Sequence, residues 1–421
     1  MNRFLGLALA AASALFAGTA SLPARAEIDG ILQELSGITG FPVRHPVAFE
    51  SITRDQVNRF LRERIEEVVK PEDLKAEELT LKKFGFVPAD FDLKKITVDL
   101  LTEQAAAFYD FHRKKLFITD WAPSEMRNVA LVHELAHALA DQNYSLDKYT
   151  KKAQKDSEKS LARQAVVEGQ ASWLTGEVMA RRAGKNLTSR QAAREVPGNA
   201  DSSTADSSTA DSSVASSKGQ YPVFDRAPLY LRETLLFPYT QGMQFQQAVY
   251  DHMGKPAFAD VFRHPPVSTQ QILHPAVYFE NVQPVVVKLA HGPKGSRGIV
   301  EGSMGELDHS ILLSQFMGKE VADEVSPHWK GADYRLLENK FDKRVLLLYA
   351  SEWSGAEVAG RYFKFYERIL SSKWKTMEVT SRTASRIEGR GDDGYFLLRL
   401  EGTRVSSEEG WSNPESFTGS R

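Results

Sequence analysis

Apolar positions recur along this chain with helical spacing over most of its first two thirds and with strand-like alternation near its end. Asp29–Leu35 reads as a short helix. From Thr53 to Val69, Val57, Phe60, Leu61, Ile65 and Val68 fall on one face of a longer one, and Pro71 opens another that runs to about Phe84. Glu103-Gln-Ala-Ala-Ala-Phe-Tyr-Asp110 and Lys115-Leu-Phe-Ile-Thr119 read as the arms of a β-hairpin. Val129–Asp141 then forms a helix that is apolar on most sides, and about Ser157 to Ala183 forms a long one. Two helices follow at Tyr230–Gly242 and Phe245–His252, a shorter one at Phe258–Phe262, and a turn of helix at Ser268–His274 after the loop His264-Pro-Pro. Beyond residue 284 the spacing predicts a strand at Val285–Leu289, a flexible basic loop at 292–298 and a helix from Gly305 to about Val325. Strands at Tyr334–Glu338 and Arg344–Ala350, a helix at Ser354–Leu370 and strands at 377–387 and 394–400 complete it, with Asp392-Asp393-Gly394 as a hairpin turn. That α-β-β-α-β-β order implies an antiparallel sheet with two helices on one face. The expected fold class is therefore α+β: a mainly helical unit carrying a β-hairpin at 101–283, followed by a small α+β domain with an antiparallel sheet at 284–421.

Two stretches depart from this patterning. In residues 1–26, Arg3 precedes an apolar run from Leu5 to Ala17, and Ala24-Arg25-Ala26 has the small-x-small form of a signal-peptidase site. The apolar run is short for a membrane span. A cleaved secretory signal is expected, with Glu27 as the mature N-terminus, no membrane anchor after cleavage, and a secreted or periplasmic destination. Residues 198–219 repeat Ala-Asp-Ser-Ser-Thr with a period of five and carry almost nothing to bury, so they read as a disordered insertion. Residues 27–100 are read either as packing elements or as a removable pro-segment covering an active site.

Composition narrows the chemistry. The chain of 421 residues has no cysteine, which excludes disulfides and thiolate ligands and leaves His, Glu and Asp for any metal. Without residues 1–26 it carries 51 basic against 55 acidic side chains, a mild balance that gives no case for a nucleic-acid partner.

The apolar helix at 129–141 contains His133-Glu134-Leu135-Ala136-His137. An H-E-x-x-H run arises by chance in a chain this long on the order of once in a hundred, so it carries weight. Residues i and i+4 share a helix face, which lets His133 and His137 address one ion, while Glu134 sits one step round, placed to act on water rather than to ligate. A catalytic zinc takes three protein ligands. Glu168, a carboxylate within the apolar stretch Gln164–Leu174, is the expected third; Glu158, Glu177 and Asp141 are its rivals. Glu158 lies at a polar helix start and Glu177 toward a solvated end. Gly169 would let that helix approach another closely. Asp141, one turn after His137, either orients a histidine by accepting its second N–H or is a surface residue. For the group that steadies an oxyanion, His274, Tyr278 and Tyr239 are candidates, with His274 placed first because Pro275 fixes its turn.

The run Glu103–Asp110, the motif His-Glu-Leu-Ala-His-Ala-Leu-Ala-Asp-Gln142, the stretch Ala165-Val-Val-Glu-Gly-Gln-Ala171 and Pro266-Val-Ser-Thr-Gln-Gln-Ile-Leu-His-Pro275 together resemble the gluzincins, the thermolysin-like zinc metallopeptidases. Within them, the likeness is to a group of secreted bacterial gluzincin-like proteins, and it covers most of the mature chain. The resemblance implies a zincin-like fold, Zn²⁺ held by His133, His137 and Glu168, Glu134 as general base, and a peptide or protein substrate. In such enzymes an extended substrate adds to a strand edge like that of the predicted hairpin. The match departs from thermolysin at Ser172, where thermolysin has an aspartate one turn after its glutamate ligand. The expected activity is zinc-dependent peptide-bond hydrolysis; the alternative is a zinc-stabilised envelope binding or assembly protein without turnover.

Overall fold

In the computed structural model, residues 23–68, 70–104, 107–121, 124–184 and 221–413 are described. The apolar run of the expected signal and the repeat tract at 198–219 lie outside them. The first element is helix α1 (Arg25–Thr39), whose Ile28, Ile31, Leu32 and Leu35 are buried at three- and four-residue spacing. It begins before the expected mature N-terminus, and the Arg25 guanidinium bonds Val47 O and lies over the Phe49 ring. Strand β1 (Ala48–Ile52) precedes α2 (Arg54–Val68), α3 (Pro71–Phe84) and α4 (Leu93–Gln104).

Strands β2 (Ala107–Asp110) and β3 (Lys115–Thr119) form the expected hairpin, but Glu103 and Gln104 end a helix instead of starting a strand. The sheet also gains β1, which pairs parallel with β3 to give the order β1-β3-β2. Strand alternation sends Leu116 and Ile118 into the main core and Phe117 the other way, where it meets Phe108, Ile52, Val57 and Leu61 of a second cluster. Both faces of the small sheet are thereby covered. Residues 27–100 supply a strand of this sheet and a helix of the main core.

Helix α5 (Ser124–Tyr144) carries the histidine motif, α6 (Leu146–Lys151) follows, and α7 (Ser157–Arg182) matches the predicted long helix. The Asp156 carboxylate accepts from Lys159 N at 3.1 Å, capping α7. After the short α8 (Pro222–Arg226), whose Val223 and Phe224 N–H groups both donate to Glu103, comes α9 (Leu229–Met253). This is one helix where two were expected. Gly242, read as a break, lies in its middle because α7 packs there backbone to backbone: a Cβ on Gly169 would sit 2.1 Å from the carbonyl carbon of Gly242, and one on Gly242 2.2 Å from Ala165 O. Tertiary contact overrides the roughly 1 kcal/mol that glycine costs in a helix interior.

Short helices α10 (Ala257–Arg263), α11 (Thr269–Leu273) and α12 (Pro275–Phe279) lead to the C-terminal sheet. Its strands are β4 (Ser296–Ser303), β5 (Trp329–Asn339), β6 (Val345–Trp353), β7 (Met377–Arg382), β8 (Arg386–Gly391), β9 (Gly394–Glu401) and β10 (Arg404–Trp411). They form a seven-stranded antiparallel sheet in the order β4-β5-β6-β10-β9-β8-β7. Helices α13 (Glu306–Met317), α14 (Lys319–Val325) and α15 (Ala356–Lys373) accompany it. The α+β class is as expected, with five corrections, the first being β10, a strand between β6 and β9 that the spacing did not predict. Val285–Leu289 is an extended strap tied to the sheet by Val285 N to Lys330 O (2.7 Å) and Val287 N to Asp333 (3.1 Å), not a strand of it. The basic loop enters β4. The helix from 305 is split at Gly318 (φ 95°), a conformation other residues resist. The stretch 377–387 is two strands, β7 and the start of β8, joined by a turn. The turn predicted at Asp392–Gly394 does join β8 to β9, and the Asp392 carboxylate is taken by Lys375 N, Thr376 N and the Thr376 hydroxyl.

The boundary expected at residue 284 is no break in the packing. One core contains Ile28 of α1, Val132 and Leu135 of α5, Val166 of α7, Leu312 of α13 and Phe396 of β9. Each such fully buried side chain contributes about 1.5–3 kcal/mol. No helix among the described residues is long and apolar enough to cross a membrane.

Candidate metal centre

The site is built where α5 and α7 pack. Leu131, Val132, Leu135, Ala138 and Leu139 wrap α5 in the core, so its one polar face, carrying His133 and His137, must turn toward α7. Glu168 meets it there. Its Oε2 lies 3.1 Å from His133 Nε2 and 3.2 Å from His137 Nε2. One ligand atom from each of the three residues lies within 4.8 Å of the other two, and all three side chains are buried. The imidazole rings stand nearly perpendicular, 4.7 Å apart. Two imidazole nitrogens and a carboxylate oxygen converging in a water-poor interior need a shared proton or a cation between them. The donor set and its spacing fit a bound metal ion.

Electrostatics follow from the same geometry. Burial pushes the Glu168 carboxyl up, but the charge of His137 and hydrogen bonds from both histidines outweigh it and hold it at about 2. Burial lowers His133. It acts the same way on His137, yet Glu168 beside that ring reverses the shift and leaves His137 raised.

Glu134 is wholly buried next to this set, and its Oε2 accepts from Tyr109 N of β2 at 2.6 Å. The strand edge that faces α5 is therefore held by the motif's own glutamate. Tyr109 also donates its hydroxyl hydrogen to Asp141 Oδ2 at 3.0 Å. Asp141 follows neither expectation. It is buried, and its carboxylate receives Tyr109, the Lys114 ammonium at 2.6 and 2.8 Å, and Leu146 N at 2.9 Å.

Of the three oxyanion candidates, Tyr239 is the one the fold brings to the centre. The crossing of α7 and α9 at Gly169 and Gly242 lays its ring on His133, stacked with centroids 5.9 Å apart. Its hydroxyl hydrogen-bonds Glu168, and burial together with Glu168 and Glu134 raises its pKa far above the ordinary tyrosine value. His274, placed first from the sequence, is instead held by Glu306 Oε1 at 2.7 Å, and Tyr278 donates to His264 O at 2.7 Å. Pro275 does open a helix after His274, but that turn belongs to the junction with the C-terminal sheet.

Glu158 belongs to that junction too. It is buried, not at a polar end, and it accepts from Thr269 N at 2.8 Å and from the Thr269 hydroxyl at 3.0 Å. Its neighbour Asp308 accepts from Gly305 N and the Tyr230 hydroxyl. Glu177, expected toward solvent, is fully buried and paired with Arg181 at 2.5 Å. Sequence reasoning missed the role of Tyr109 at Glu134; its only signal was a tyrosine in the first strand of the hairpin that precedes the motif helix. Compared with known proteins, the chain matches no family model, no curated protein and no solved structure.

Proposed function

We propose that this protein is a zinc-dependent hydrolase that cleaves peptide bonds, exported from the cytoplasm by residues 1–26. The reading rests on one observation above the others: His133, His137 and Glu168 converge on a single point with Glu134 one residue from the first ligand. The set of two imidazoles and one carboxylate is that of catalytic zinc sites, which leave a coordination position open. A zinc ion held there supplies a Lewis acid that acidifies water and polarises a carbonyl. The chain's own residues do the rest. Glu134, held by Tyr109 N, takes the proton of the attacking water and returns it to the leaving amine. Tyr239, stacked on His133, offers its hydroxyl to the oxygen on which charge develops. The gluzincin resemblance implies the same three zinc ligands and Glu134 as general base, and favours a secreted or periplasmic setting.

A second reading has its own support. His133, Glu134, His137 and Glu168 are each at most 5 % exposed, as in a site that staples a fold without turnover. Metal content and hydrolysis separate the two. The purified protein and its Glu134→Gln form are assayed for bound zinc and for cleavage of unfolded protein and a peptide library. The peptidase reading expects zinc in both and kcat/KM lower by about 10²–10⁴ in the variant, the range a general base supplies. Zinc in both with cleavage by neither supports the binding role, and no zinc in either overturns the site.

A further inference from the structure

A single tyrosine bridges two carboxylates of the motif helix that are not part of the metal set. Tyr109 reaches Glu134 through its main-chain N–H and Asp141 through its hydroxyl. Glu134 and Asp141 are seven residues apart. They therefore share a helix face and lie about 10.5 Å apart along the axis. Tyr109 spans that separation, anchored at both ends.

The far anchor is reinforced. Asp141 gathers the Lys114 ammonium from the β2–β3 turn and Leu146 N from the turn after α5, as well as the tyrosine. Lys114 (φ 52°) and Ser145 (φ 51°) are both non-glycine residues in left-handed backbone, one in each of those turns. Only two others, Asn281 and Lys343, occur among the described residues. Two strained turns ending on one buried carboxylate point to a clamp whose geometry matters, since such strain persists only where the surroundings over-determine it.

We propose that Asp141 and Tyr109 are positioning residues for Glu134. Asp141 fixes the tyrosine lengthwise on α5, and this fixes where the Tyr109 N–H holds the Glu134 carboxylate against the metal set. The proposal rests on Glu134 as the general base, and it adds that the base is aimed by a strand whose own position is set two helical turns away.

Two readouts test it on the metal-loaded protein. In kinetics, Asp141→Asn and Tyr109→Phe lower kcat roughly tenfold, the low end of what losing a supporting partner costs, with KM and zinc content unchanged. On a Glu134→Gln background the same changes cost nothing further. In NMR of protein labelled with [¹⁵N]tyrosine, the Tyr109 amide proton lies far downfield because its 2.6 Å bond ends on a carboxylate. It moves upfield in Glu134→Gln and also in Asp141→Asn. Variants that lose thermal stability while kcat and the amide resonance stay put overturn the proposal and leave a purely structural clamp. If the unaltered protein binds zinc but cleaves nothing, while the amide still responds to Asp141→Asn, the positioning stands and the peptidase reading falls. Should Asp141→Asn not fold, Tyr109→Phe, which removes only one hydroxyl, carries the kinetic test.

Discussion

Two carboxylates on helix α7 invite comparison. Glu158 and Glu168 are both buried, ten residues apart, and so about 15 Å from each other along one axis. Burial pushes both carboxyls up, yet they end on opposite sides of the ordinary glutamate range. At Glu168 the charge of His137 and bonds from both histidines win, and the group is held at about 2. At Glu158 the neighbouring Asp308 adds to the effect of burial, Thr269 offsets only part of it, and the group is pushed up to about 8. One is an anion among imidazoles, suited to a cation. The other is a carboxyl that burial and Asp308 push toward its protonated form, at the seam between the helical unit and the C-terminal sheet. Depth of burial does not mark a metal site; the character of the groups that face the carboxylate does.

The comparison breaks most readily at the metal. Glu168→Gln is expected to weaken zinc binding by more than the roughly 10- to 100-fold typical of losing a supporting partner, whereas Glu158→Gln leaves zinc content unchanged. Equilibrium dialysis with zinc measures both, and equal losses would erase the distinction. The next effect is in the helix crossing that brings Glu168 and Tyr239 together. Gly169→Ala or Gly242→Ala forces a methyl into the backbone of the facing helix and should destabilise the fold by about 1–3 kcal/mol, with weaker zinc binding. Denaturant unfolding and metal content report it; an alanine accepted at no cost would refute the close crossing.

The smallest effect is the dependence of stability on pH. A carboxyl whose folded pKa is raised binds its proton more tightly in the native state. Its contribution to stability is therefore fully present below the unfolded value near 4.5 and is lost as pH rises through about 8. Thermal unfolding between pH 5 and 8 should show the midpoint falling with pH, and Glu158→Gln should flatten that slope. An identical slope in the variant would place the proton elsewhere, Asp308 being the nearest alternative because burial raises it as well.

Much of the site could be read along the chain because its signals are local. The i, i+4 histidines lie on one helix, and Glu168 is the acid set most deeply among apolar neighbours in its run. The long helix α7 follows from a sustained helical pattern over about Ser157 to Ala183. What misled was equally physical. Gly242 reads as a helix end until α7 is known to lie against it. His274 reads as a fixed ring beside a proline, and nothing local says that Glu306 claims it. β1 is five residues with no strong alternation, and it becomes a strand only by pairing with β3, more than sixty residues further on. Asp141 shows no mark that distinguishes a histidine's partner from a clamp on a strand.

The sequence by itself determined the α+β class and the histidine face of α5, and put Glu168 first among the acids that could complete it, because helical and strand periods are set by covalent geometry and act over a few residues. Only the tertiary structure decided that Tyr239 and not His274 stands at the centre, that Tyr109 holds Glu134, and that both halves of the chain share one core. Those outcomes depend on which backbone can approach which, here the bare glycine crossing of α7 and α9 and the two left-handed turns that end on Asp141.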